Sequence, residues 1–374
     1  MPVNLALGHV SNDFLVAALV IYSLAVLAFA GDFAFGRPRR AVAVAAAARQ
    51  PARTLAAVGT RTGEADADTL TAASGASLAD RPDVAAQRAS RPGDTTARTG
   101  TGGGSGGLVF TPRGKFRALF QADAWVRAGM VLSAAGVLAH TVAVITRGVA
   151  VNRPPWGNMY EFVTALTCFA ALFFLGVMVR YRAWSLGVFV MGAVVVTLGL
   201  TETLIFTPAG DLVPALQSYW LSIHVTAMTV ATGVFFVSAV LGVVYLMVDR
   251  HNRRVAAGRP ASSAIVRRLP TLEQLDRLAY RTVVFGFPIW TFGVIAGAIW
   301  ADQAWGRYWG WDPVETWAFI TWVVYAAFLH ARATAGWRGR RAHYVQLLGF
   351  VSLVFNIMVV QIFITGLHSY AGVK

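Results

Sequence analysis

The sequence contains one stretch in which aromatic side chains are unusually dense, WGRYWGWDPVETW at residues 305–317. Trp and Tyr collect at membrane interfaces because their rings are amphipathic, but that accounts for only a few aromatics at a helix end. Two glycines in the stretch would let rings and backbone approach a ligand closely. The density therefore indicates a platform for a flat, apolar ligand such as a planar macrocycle. The platform residues are Trp305, Tyr308, Trp309 and Trp311.

Two histidines are predicted at the same depth as this stretch. His224 lies a few residues into an apolar segment that starts near Trp220, and His368 follows the last apolar segment. A single histidine at a helix end more often only hydrogen-bonds to a neighbour. Two imidazoles beside an aromatic platform, however, are what six-coordinate haem binding needs, with one nitrogen on each side of the iron. Their agreement in depth favours ligation.

The remaining histidines have weaker signals. His330 lies about 13 residues beyond Trp317, roughly 20 Å deeper at helical rise, which is too far to share the same haem. It indicates a second haem site or transfer station, or equally a structural polar contact within the bundle. His140 is expected to pack or to form a hydrogen bond. The other three are predicted as surface or interfacial residues: His9, His251 and His343.

Acidic and basic residues near the platform have structural explanations. Asp312, Pro313 and Glu315 form a helix-start pattern, with Asp312 as the N-cap, so a direct ligand role for Asp312 is not required. The positive end of that helix would lie beside the platform, where it could receive carboxylates. Asn158 and Glu161 are expected to cap another helix. Arg153, in the same loop as Asn158, is a cation suited to a carboxylate.

Composition defines the class of protein that must position these residues. The 374-residue chain is 56% hydrophobic and 13% charged, with a mean hydropathy of +0.56, which indicates a polytopic membrane protein. The net charge of +14 does not indicate nucleic acid, because the basic residues fall in a few loops between apolar runs. The single cysteine, Cys168, excludes a disulfide, a CxxC pair or a zinc cluster within the chain.

The sequence predicts an all-α fold of about eight transmembrane helices. Residues 1–35 form an N-terminal transmembrane helix; a signal peptide is the alternative, but no Lys or Arg precedes its apolar run. Residues 36–121, which include TGGGSGG, are predicted as a disordered cytoplasmic linker. Residues 122–374 form the haem-handling membrane domain, with the aromatic segment 301–317 outside. Most Lys and Arg fall in alternate loops, which predicts that both termini are outside.

These motifs resemble a known family. WGRYWGWDPVETW carries the WGxxWxWD (WWD) signature of haem-handling membrane proteins. LQSYWLSIH before it, GLHSYAG after it and PPWGNMYE in an outer loop are also similar to the CcsA/ResC-type proteins, which are often labelled CcsB in bacteria. The resemblance covers about residues 124–374, and the linker has no counterpart in it.

The resemblance implies a System II subunit of cytochrome c biogenesis, part of a haem-lyase or synthetase complex. Haem b would enter from the cytoplasm or inner leaflet and reach the external site, where His224 and His368 are the axial ligands. His330 would serve the inner site with a second ligand from a ResB-type partner. Apocytochrome c would then accept the haem on its CxxCH thiols. Two alternatives stay open: a haem-delivery protein of another maturation route, and a channel or scaffold without haem.

Overall fold

The computed structural model describes residues 3–35, 123–210, 218–260 and 265–368, and the predicted linker at 36–121 lies outside them. The regular structure of the described residues is helical, and eight helices are long and apolar enough to cross a membrane. This confirms the predicted all-α polytopic fold, and the chain is a multi-pass membrane protein. The helices are α1 (Leu5–Phe35), α2 (Ala124–Ala150), α3 (Met159–Tyr181), α4 (Gly187–Leu204), α5 (Tyr219–Ala256), α6 (Leu272–Trp305), α7 (Pro313–Thr334) and α8 (Arg340–Phe363).

Several helices are longer than the apolar runs that predicted them. α5 continues through the basic segment after Val248 to Ala256, and α6 begins at Leu272, eleven residues before the apolar run at Val283. Thr271 and Gln274 close a capping box at the start of α6. Hydropathy identifies only the apolar centre of such helices, because their polar ends extend beyond it.

Glycines on α6 bring it close to α5. A Cβ atom at Gly286, Gly293 or Gly297 would lie within 3 Å of a side chain on α5. Small residues at a helix interface let the backbones approach, which is how membrane helices gain packing contacts. This close pairing fixes the N-terminal part of α5, and with it the site described below.

Both predicted helix caps are confirmed. The Asn158 side chain accepts from the backbone N–H of Glu161 at the start of α3. Asp312 caps α7 in a capping box with Glu315, and Pro313 occupies the first turn.

α8 contains a π-helical turn at Asn356–Val360, and the chain after it returns to the start of α7. Such turns are frequent at functional sites.

Two histidines predicted at the surface are buried instead. His343 is 1% exposed and His251 is also buried, both toward the end of the bundle opposite the aromatic segment. The prediction for His343 was wrong because the basic residues before it are exposed while its own side faces the bundle. Its Nδ1 lies 2.7 Å from Gln346 Oε1, and Gln346 Nε2 donates in turn to Ser238. His140 is buried with its Nδ1 3.5 Å from the Tyr22 hydroxyl, in agreement with the prediction of packing or a hydrogen bond.

Candidate functional site

A cavity of about 730 Å³ opens at the end of the bundle where α5 and α7 begin and α6 ends. Its volume falls in the range of small-molecule and cofactor sites, about 300–1,000 Å³. Three helices, the end of α8 and the loop at 151–158 line it. The residues that bear on its chemistry are His224, His368, Trp300, Trp305, Tyr308, Trp309, Arg153 and Glu315.

His224, in the second turn of α5, is fixed by α6. Its Nδ1 lies 2.7 Å from the carbonyl oxygen of Gly293. A carbonyl can only accept a hydrogen bond, so Nδ1 carries the proton and the lone pair is on Nε2. Gly297 supplies the space: a Cβ atom there would lie 2.6 Å from the imidazole. The backbone of α6 therefore determines both the position and the tautomer of His224.

His368 is fixed by the N-cap of α7. Its Nδ1 lies 2.8 Å from Asp312 Oδ1, while Oδ2 accepts the backbone N–H of Leu367 at 2.7 Å. Burial raises the pKa of Asp312, but the hydrogen bonds from His368 and Leu367 outweigh it and hold the pKa below its ordinary value. The ionised carboxylate accepts from Nδ1–H, which again leaves the lone pair of the imidazole on Nε2. Asp312 thus caps a helix and orients a histidine at once.

One indole contacts both histidines. The ring centroid of Trp300 is 6.4 Å from that of His224, nearly parallel at 11°, and 6.0 Å from that of His368. Trp305 packs edge-on at 4.7 Å from Trp300 and 5.0 Å from His368. Trp300 is 2% exposed. Sequence reasoning treated Trp300 only as the end of a span, although its place five residues before Trp305 was an available signal.

The predicted site residues separate into two groups. His224, His368, Trp305, Tyr308 and Trp309 line the cavity together.

Three other predicted residues do not line it. Trp311 is 65% exposed, with a left-handed φ of 57°, and contacts Trp309 at 5.8 Å from outside the cavity. Asp312 reaches the cavity only through His368. His330 lies on an exposed face of α7 near the opposite end of the bundle. Helical spacing carries it away from the cavity, as the sequence predicted.

The loop wall contains an ion cluster whose extent the sequence did not reveal. Glu161, expected only as a capping residue, accepts from both Arg147 and Arg153. Arg153 and Glu161 lie eight residues apart, on either side of a Pro-Pro turn. This spacing was the signal that could have found the pair.

The residues present fit an iron porphyrin. Two imidazoles offer Nε2 lone pairs, the indoles and Val294 offer apolar contact, and Asp312 and the Gly293 carbonyl supply the hydrogen bonds that metal-binding histidines usually make through their second nitrogen. The arrangement can hold a flat metal complex between ligands from α5 and from the segment after α8.

The fold and site define a helical polytopic membrane protein with an aromatic cavity flanked by two oriented histidines. The family described as "Cytochrome C assembly protein" matches residues 156–368, which include most of the cavity lining, the aromatic segment and both histidines. The chain belongs to this family, and its role lies in cytochrome c biogenesis.

Its relatives include proteins described as "Cytochrome c biogenesis protein CcsA". That of Guillardia theta is 36% identical over 248 residues, covering 62% of this chain and 81% of the relative. That of Synechococcus sp. (strain CC9605) is 36% identical over 277 residues, covering 68% of this chain and 90% of the relative. A solved structure described as "Cytochrome c Heme Lyase CcmF" aligns with a TM-score of 0.47 and 19% identity, covering 66% of this chain and 43% of that one. The identity to the CcsA relatives shows that the chain is a CcsA-type cytochrome c biogenesis protein.

Proposed function

We propose that the chain binds haem b between His224 and His368 and presents it for covalent attachment to the CxxCH segment of apocytochrome c. One observation carries the proposal. Both histidines use Nδ1 to bind the protein, and both rings lie beside Trp300 at the same cavity. A purely structural histidine needs neither a place in a cavity wall nor a second imidazole in the same wall. Bis-histidine binding needs both.

The chemistry assigned to the site is binding and orientation. In thioether formation a thiol adds to a haem vinyl group: the S–H and C=C π bonds break, and an S–C and a C–H bond form. The thiols belong to the acceptor, because Cys168 is buried within α3 and does not line the main cavity. The macrocycle and the thiols supply the reactivity, and the chain supplies position and exclusion of water.

A ResB-type partner is part of the proposal, and α7 is where it would contact this chain. α7 is the least buried and the least apolar of the eight spans that the described residues form. His330 lies on its exposed face. An ionisable side chain facing lipid is costly, so this face favours a protein neighbour. The partner would supply the second ligand of an inner haem site at His330.

The cavity is proposed to face the extracytoplasmic side. The loops at its end of the bundle carry few basic residues, whereas those at the opposite end carry Arg clusters such as Arg338, Arg340 and Arg341. Lys and Arg concentrate in cytoplasmic loops of membrane proteins. Haem taken up from the cytoplasmic side or the inner leaflet would then be released toward secreted apocytochrome.

The test is the visible spectrum of the full-length chain purified from cells supplied with haem. We expect a Soret band that is lost or shifted in His224→Ala and in His368→Ala and is partly restored by added imidazole. His9→Ala, a change at an exposed histidine, is the matched control and should leave the band unchanged. His330→Ala should spare the outer site. A colourless wild-type chain under these conditions would contradict the proposal and support a scaffold without haem.

A further inference from the structure

The cavity has a strongly uneven distribution of charge. Apart from histidines, its described lining contains one basic side chain, Arg153, and one acidic side chain, Glu315. Arg153 belongs to the loop between α2 and α3, whereas Glu315 belongs to the first turn of α7. The cavity therefore has one basic wall and one acidic wall, and an amphipathic ligand would have a preferred orientation in it.

The α7 side is unsuitable for an anion. Glu315 Oε2 accepts the backbone N–H groups of Gly310 at 2.9 Å and Asp312 at 3.2 Å, and Asp312 Oδ1 accepts that of Val314. Two carboxylates of the protein already occupy the positive end of this helix. The expectation that the start of α7 receives ligand carboxylates is therefore not supported by the geometry, because a third carboxylate would meet like charge.

The loop side offers a cation that is partly available. Arg153 Nη1 is held by short hydrogen bonds to Glu161 Oε2 at 2.7 Å and to the Pro154 carbonyl at 3.1 Å. Nη2 makes only long contacts, 3.5 Å to Glu161 Oε1 and 3.4 Å to the Gly210 carbonyl. The Arg153 side chain is 14% exposed. Nη2 can therefore turn from weak partners to a ligand carboxylate while Nη1 keeps the side chain in place.

Glu161 cannot neutralise Arg153 by itself, because it is shared. Its side chain is fully buried and accepts from Arg147 Nε at 3.0 Å and from the Gly157 backbone N–H at 2.9 Å. Arg147 also donates to the Thr207 carbonyl at 2.6 Å. The other nearby carboxylate, Glu202, accepts from the Tyr160 hydroxyl and interacts with the charge of Arg147. The formal charges of the two arginines and two carboxylates balance, but Arg153 is the member of the cluster that lines the cavity.

We infer that Arg153 is the carboxylate-binding residue of the cavity, and that Glu161 is the positioning residue that presents it. The inference rests on the proposed function: with haem in the cavity, the propionate edge lies at the loop wall, beside Arg153. The opposite edge of the macrocycle, which carries the vinyl groups, then points away from this loop. Fixing the propionates in this way would determine which edge of haem is available for attachment.

The experiment compares haemin with haemin dimethyl ester, which lacks free carboxylates, by absorbance titration of the purified full-length chain. We expect the wild-type chain to bind the free acid at least about tenfold more tightly than the ester, the scale of one charge-assisted hydrogen bond. Arg153→Gln should reduce this ratio to about one by weakening binding of the acid alone. Arg153→Lys should retain part of the preference. Arg307→Gln, at an exposed arginine outside the cavity lining, should keep the wild-type ratio.

The outcomes separate the two proposals. If the wild-type chain binds acid and ester equally, or if Arg153→Gln keeps the wild-type ratio, the role of Arg153 is refuted while haem binding stands. If the wild-type chain binds neither compound, the proposed function itself fails. The wild-type ratio needs no variant, so the inference can be tested even if Arg153→Gln does not accumulate.

Discussion

The two ends of the bundle each hold a histidine that contacts an aspartate and an aromatic ring. At the cavity end, His368 lies 2.8 Å from Asp312 and 5.0 Å from the ring of Trp305. At the opposite end, His343 lies 3.3 Å from Asp276 and stacks on Tyr245 with ring centroids 3.9 Å apart. Both histidines therefore contact one aspartate and one aromatic ring. The surroundings of the second ring nitrogen differ.

That difference decides what each histidine can do. His343 has Nδ1 facing Gln346 Oε1 and Nε2 facing Asp276. Arg332 donates two hydrogen bonds to the carboxylate of Asp276, at 2.7 and 2.9 Å. Both nitrogens of His343 thus face protein acceptors, as expected of a residue that joins helices. His368 uses one nitrogen for Asp312 and lines a cavity with the rest of its ring. A histidine that contacts an aspartate can bind a ligand only where the histidine also lines a cavity.

The largest expected effect lies at the opposite end. Asp276→Ala removes one partner of a nearly buried ion pair, which typically costs about 3–5 kcal/mol of stability. We expect a large fall in the thermal unfolding temperature of the purified chain, with an unchanged haem content per folded molecule. Asp249→Ala is the control, because Asp249 pairs with the exposed Arg253 and Arg340 and should contribute about 1 kcal/mol or less. Loss of haem from folded Asp276→Ala protein would contradict the separation of the two ends.

The next effect concerns the residue that orients His368. Asp312→Asn keeps a good N-cap but replaces the carboxylate that accepts from His368 and Leu367. Losing such a supporting contact typically weakens metal binding about 10–100-fold. Haem titration should show this loss with little change in helix content by circular dichroism. Asp249→Ala, which removes a carboxylate at the opposite end of the bundle, should leave the haem affinity near normal.

A smaller effect distinguishes the aromatic residues from one another. Trp305→Ala removes a ring that contacts both His368 and Trp300, and aromatic contacts of this kind contribute about 0.5–1.5 kcal/mol. We expect haem affinity to fall roughly 2- to 13-fold. Trp311→Ala, at an exposed ring outside the cavity, should change it little. Equal losses in the two variants would show that the exposed ring also contacts the ligand.

The smallest effect is the pH dependence of the cavity end. The pKa of Asp312 is lower in the folded chain than its ordinary value of 3.8, so its contribution to stability is present above that value. It is lost as the pH falls through the lowered folded pKa. The difference in unfolding temperature between wild type and Asp312→Asn should therefore not decrease from pH 7 to pH 5, and it should decrease below about pH 3.8. A difference that already shrinks between pH 7 and pH 5 would mean that another group controls this contact.

Much of this protein follows from its sequence alone. Apolar runs determined eight spans, because a membrane-crossing helix must satisfy its own backbone and present about 20 apolar residues. The helix start at Asp312 was determined locally, since capping depends on residues three apart. The shared depth of His224, His368 and Trp305 also followed, because each lies at a predictable end of its span.

Only the tertiary structure decided which of these residues meet. The sequence could not show that Trp300 contacts both histidines, that Asp312 orients His368, or that Trp311 faces outward, because each depends on how helices rotate about their own axes. It could not separate buried His343 from a surface histidine, because the acceptors around His343 come from other helices. Depth in a membrane is a property of one segment, whereas a binding site requires side chains from several helices to face the same space.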